Sequence, residues 1–80
     1  MTERITLNFP IEHDGVPISE IALRRPTVGD RLAAQKAGGL EAEQEIRLLA
    51  NLAELPPAAI MKLDLKDYRE LQKALAGFLS

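Results

Sequence analysis

The single histidine, His13, stands between Glu12 and Asp14 in "IEHDG". Its side chain titrates near neutral pH when unperturbed, and a carboxylate on either side supplies the residue types of a general acid–base pair. The same five residues also read as a hairpin turn, where an exposed histidine needs no chemistry. Glu41, Glu43 and Glu45 form a second acidic group. A calcium loop would alternate its acidic ligands around a glycine turn. These three instead suit the start of a helix, where carboxylates meet the positive end of the dipole. The hydroxyls are Thr2, Thr6, Ser19, Thr27, Tyr68 and Ser80, and none lies in a G-x-S-x-G elbow. Gly38-Gly39 lacks the lysine and the spacing of a phosphate loop. With no cysteine there is neither a disulfide nor a thiolate metal site, and one histidine excludes the multi-histidine zinc patterns. The expectation is a protein with no catalytic residues, no metal and no cofactor.

Eighty residues make one small domain, 1–80. A chain of this size buries only about 60–65% of its unfolded surface. Such chains often need a staple, and without cysteine the remaining staple is association with a partner or a second copy. Hydrophobic residues are 46% of the chain, which is globular rather than disordered. Much of that share is alanine, and Phe9, Tyr68 and Phe78 are the only aromatic residues, so the core is expected to be thin. A net charge of −2 argues against a nucleic-acid binder that works by neutralising phosphates. The local basic cluster Arg24, Arg25, Arg31 and Lys36 reads as a solvated face. No apolar run approaches the roughly 20 residues of a membrane span, and "MTERITLNF" lacks a signal layout. The expected location is the cytoplasm.

The elements follow from periodicity and punctuation. Ile5, Leu7, Phe9 and Ile11 alternate with polar residues, which predicts a half-buried strand on which Pro10 imposes an edge or a break. Asp14-Gly15 predicts a type I′ turn, and Val16, Ile18, Ile21 and Leu23 mark the return strand. The apolar phase slips between Ile18 and Ile21, which predicts a bulge with its extra residue near Ser19-Glu20. The hairpin is placed at 4–25, with 1–3 disordered and 27–79 helical. Thr27 and Asp30 form a capping box for a helix over 28–37, which Gly38-Gly39 stops. A second helix over 41–54 carries Ile46, Leu49, Ala50 and Ala53, widened by Leu48 and Leu52 to an apolar arc of about 200°. A helix of that kind is either packed on two sides or leaves a ridge for a partner. Pro56-Pro57 ends it, and Pro57 can open the next short helix in "AAIMKL". Asp64 caps a last helix over 65–79, with Asp67 in its first turn and an apolar face of Leu65, Tyr68, Leu71, Leu75, Phe78 and Leu79. The predicted fold class is α+β: an N-terminal antiparallel β-hairpin followed by a compact bundle of three to four α-helices.

Without catalysis, surface for recognition remains. The candidates are Leu48 and Leu52 on the broad face of the second helix, together with Ile60 and the adaptable Met61 after the prolines. Each of the four is either a plug in a thin core or the border of a partner groove.

The order of features is similar to a known family. An alternating strand pair around "DG" leads to "LRRPTVGD" and "AAQKAGG", then a leucine-rich helix, then "LPPAAIMKLDLKDYRELQKALAGFL". Over about residues 4–79 the chain resembles the small tail assembly chaperones of Mu-like and related contractile-tailed phages and prophages. The resemblance implies a non-enzymatic protein of the host bacterial cytoplasm. Such a protein binds the long helical tape measure protein, keeps it soluble, helps tail tube subunits polymerise around it and is absent from the finished tail. It also implies a frameshift-extended long form, beside which a chain ending in "GFLS" is similar to the short one. On this reading Leu48, Leu52, Ile60 and Met61 border a groove for tape measure helices. Two alternatives stand beside it. A small DNA-binding helical regulator would set Glu41, Glu43 and Glu45 against phosphates. A self-associating structural tail subunit would appear in purified particles.

Overall fold

The computed structural model describes residues 2–80. Six elements follow in order: β1 (Thr2–His13), β2 (Val16–Arg24), α1 (Val28–Lys36), α2 (Glu41–Ala53), the one-turn α3 (Pro57–Ile60) and α4 (Leu65–Leu79). The class is α+β, an antiparallel two-stranded hairpin carrying helices, as the periodicity predicts. A lone hairpin is marginal in water. Here α2 packs on β2 while α4 packs on β1. The core joins Leu7, Ile21 and Leu23 of the sheet to Leu49 and Leu52 of α2, Ile60 of α3 and Leu71, Leu75 and Phe78 of α4. Thr2 and Glu3, expected to be disordered, pair with Arg24 and Leu23; Met1, the rest of that expectation, lies outside the described residues.

The hairpin turn has positive φ at both Asp14 (52°) and Gly15 (78°), as a type I′ turn demands. The bulge is displaced from its expected strand. Thr6 pairs with Glu20 and Ile11 with Ile18, so Leu7, Asn8, Phe9 and Pro10 face Ser19 alone. The extra residues belong to β1, not to β2 near Ser19-Glu20. Two causes act together. Pro10 has no N–H to give a ladder, and the N–H groups of Asn8 and Phe9 are taken by the Asp67 carboxylate of α4, each at 2.9 Å. The excursion keeps Leu7 in the core and turns Phe9 outward, 54% exposed.

The helix ends match their punctuation. Thr27 accepts from Asp30 N, and Asp30 in turn accepts from Thr27 N, completing the capping box of α1. Asp30 also accepts from both terminal guanidinium nitrogens of Arg24, each at 2.7 Å. That contact, ahead of the Thr27 bonds, holds its carboxyl well below the usual carboxylate range. Arg24 thus ties α1 to β2 rather than lying free on a solvated face. Asp64 caps α4 through Lys66 N, and Pro57 occupies the first turn of α3. Gly38 and Gly39 both have positive φ after α1.

The end of α2 departs from the usual glycine. Leu55 N bonds Ala50 O and Glu54 N bonds Asn51 O, the paired bonds of a Schellman motif. Its left-handed residue is Glu54, with φ 56° and ψ 41°. A side chain there costs about 1 kcal/mol or more relative to glycine. Glu54→Gly is therefore expected to raise stability by about 0.5–1 kcal/mol, read as a higher urea midpoint with an unchanged slope. Glu54 also attracts the Arg24 guanidinium through space, without an ion-pair contact, and a lower midpoint would mean that this attraction outweighs the backbone strain.

Candidate functional site

His13 sits where the turn signal puts it. Lys62 Nζ lies 3.0 Å from Glu12 O and 3.2 Å from His13 Nδ1. An ammonium can only donate, so Nδ1 accepts, and the ring proton is assigned to Nε2, 3.4 Å from Asp14. The histidine therefore helps tie the hairpin tip to the segment after α3. Among the described residues, no group of three or more His, Asp or Glu side chains could hold a metal ion. No described helix is long and apolar enough to cross a membrane.

The surface offers apolar grooves instead. The first, about 290 Å³, is lined by Ile46 of α2, by Ile60, Met61 and Leu63 around the end of α3, and by Leu65 and Tyr68 of α4. Local sequence explains its shape. Pro57 starts a helix that lasts one turn, and Met61 N and Leu63 N bond Pro57 O and Ile60 O, curling the chain back. Asp64 then caps α4, so Leu65 begins the helix ahead of the turn that reaches the core. Met61 and Leu65 remain 71% and 63% exposed. One wall is fixed by the Tyr68 hydroxyl, which donates to Glu45 Oε1 at 2.7 Å, while Gln72 Nε2 donates to the same oxygen at 2.8 Å. Burial first, then that carboxylate, pushes the Tyr68 phenol well above its ordinary range, so it stays a donor at any physiological pH.

A second groove, about 250 Å³, runs between α1, α2 and α4 and is lined by Pro26, Thr27, Val28, Arg31, Leu48, Leu75 and Leu79. It shares Arg31, Leu48, Leu75 and Leu79 with a more polar cleft of about 280 Å³ that continues towards Glu41 and Glu45.

The four residues singled out from sequence do not share one surface. Met61 lies open on the rim of the first groove, and Ile60 forms its floor while belonging to the core. Leu48 lines the second groove, half-buried. Leu52 is fully buried and borders neither. The wide arc of α2 is packed on several sides, by β2, α1 and α3, while Ile46 and Leu48 at its margins stay half-buried and line the grooves. Sequence reasoning counted Leu65 with the core face of α4 and Tyr68 with the same arc. The available signals were the place of Leu65 directly after a cap and the polar tip of Tyr68, which marks a boundary between core and water.

Residues 4–80 match the family model described as "Phage tail assembly chaperone proteins, E, or 41 or 14". No curated protein and no solved structure matches the chain.

Proposed function

Because the chain belongs to the phage tail assembly chaperone family, we propose that it holds the apolar helices of a tape measure protein until tail tube subunits polymerise around them, and that it leaves before the tail is complete. On this reading it acts by binding alone, in the host bacterial cytoplasm, with a frameshift-extended form of itself as a further partner. The observation that supports the reading is the first groove. Met61 and Leu65 are large, apolar and mostly open to water along this groove. An amphipathic helix docks by laying its apolar stripe into such a groove, and methionine adapts to varied side chains. The sequence proposal of Leu48, Leu52, Ile60 and Met61 is thereby narrowed to Ile60 and Met61, joined by Ile46, Leu63, Leu65 and Tyr68.

The test is co-expression with the tape measure protein of the same tail operon. Wild type should co-purify with it and keep it soluble. Met61→Asp combined with Leu65→Asp should lower recovery at least about tenfold, the scale of losing two groove anchors, with an unchanged circular dichroism spectrum. Undiminished recovery would sink the assignment of this groove. Finished particles that retain the chain would favour a structural tail subunit.

A further inference from the structure

We propose that the cleft between α1, α2 and α4 receives an amphipathic helix bearing acidic residues along one flank of its apolar stripe. The floor is apolar, made by Leu48 and Leu75, and Val28 and Leu79 stand at its edge, 79% and 69% exposed. These edge side chains face water across a cleft that nothing in the fold fills. The cleft is walled by three helices and the cap of α1 and has no strand edge, so an added strand would find no ladder to join. A helix presenting side chains alone meets no such obstacle.

The charge on the rim selects the ligand. Arg31 borders both the apolar cleft and its continuation. Arg25 directly precedes Pro26 of the cleft lining, and its guanidinium stands 5.9 Å from the centre of the Phe78 ring. Among the described residues neither arginine makes an ion pair, whereas the adjacent Arg24 is satisfied by Asp30. On the far rim Glu41 and Glu45 carry the opposite sign, and Glu45 already accepts from Tyr68 and Gln72. The α1 rim is thus positive and unpaired, and the α2 rim is negative. A helix entering with carboxylates against α1 gains both burial and charge matching, and this fixes which flank faces which wall. The inference deepens the chaperone reading and rests on it for a helical ligand.

The probes are two labelled synthetic peptides of about 20 residues, with leucine at i, i+3, i+4 and i+7 spacing on an alanine background. One carries glutamate along one flank of the stripe and the other carries lysine. In fluorescence anisotropy at low salt, the glutamate peptide should bind the full chain at least about fivefold tighter. Arg31→Glu should reverse that preference. Val28→Asp or Leu79→Asp should weaken both peptides by about tenfold, while Met61→Asp should not. Both positions are exposed, so the fold is retained, and a thermal melt checks each variant; if one fails to fold, the other decides. Equal binding of the two peptides, no binding of either, or an unmoved preference in Arg31→Glu would overturn the proposal. The chaperone reading fails separately: wild type that does not co-purify with the tape measure protein refutes that reading, whatever the peptides do.

Discussion

Asp67→Asn is expected to lower the melting midpoint by more than about 10 °C. The Asp67 side chain is fully buried on α4. Its Oδ1 accepts from Asn8 N and Asn8 Nδ2, and its Oδ2 accepts from Phe9 N. A buried carboxylate is stable only when its lone pairs are met by donors. In asparagine one of the two oxygens becomes an NH2 group, which sets donor against donor and leaves at least one buried N–H without a partner. Burial alone would push the Asp67 carboxyl up, but the bonds from Asn8 and Phe9 outweigh it and hold the group below its ordinary 3.8. Its contribution is therefore complete above about pH 4 and fades as pH falls towards the lower folded value. Wild type should lose stability along that acid limb, and Asp67→Asn should lose less of it. Amide exchange at Asn8 and Phe9 should accelerate in the variant. A midpoint within about 2 °C of wild type would show that the bulge does not depend on this carboxylate.

Leu52→Asp is expected to abolish cooperative folding, and Met61→Asp to leave it nearly untouched. Both residues are apolar in sequence and both were candidates for one partner surface. Leu52 is 1% exposed and Met61 71%. Removing a buried leucine costs about 3–5 kcal/mol, and an unpaired charge in its place adds about 3–5 kcal/mol more. A domain of this size has roughly 4–12 kcal/mol in total. The exposed methionine has little burial to lose, and surface changes of that kind stay within about 0.5 kcal/mol. Urea titration followed by circular dichroism separates the two outcomes. A cooperative Leu52→Asp transition near the wild-type midpoint would contradict the buried placement. Loss of partner binding in Leu52→Asp would say nothing about a groove, because the fold itself would be gone, so the binding test uses Met61 and Leu65.

What could be read from the chain in advance was local. Asp14-Gly15 specifies its turn through backbone conformations that few other pairs accept. Thr27 with Asp30, Pro57 and Asp64 each satisfy or forgo nearby N–H groups, and each sits where its spacing puts it. The bulge strand was misplaced because its cause is remote: Asp67 looks like a first-turn carboxylate suited to the helix dipole, and only packing brings it to Asn8 and Phe9. The site was partly hidden for a similar reason. Leu65 and Leu71 lie on one apolar arc of α4, yet Leu71 meets the core and Leu65 overhangs it. Helical periodicity gives the direction of a side chain, but not how far the neighbouring elements extend along the axis.

The stitch from Asp67 to the β1 bulge joins residues 58 and 59 positions apart. During synthesis at roughly 5–20 residues per second, Asn8 and Phe9 wait about 3–12 s before their acceptor exists. Over that interval the hairpin turn can close, but the excursion at Leu7–Pro10 has nothing to hold it. The order of assembly inside the molecule is therefore set by its last helix: the earliest strand acquires its final shape only when the end of the chain returns to it.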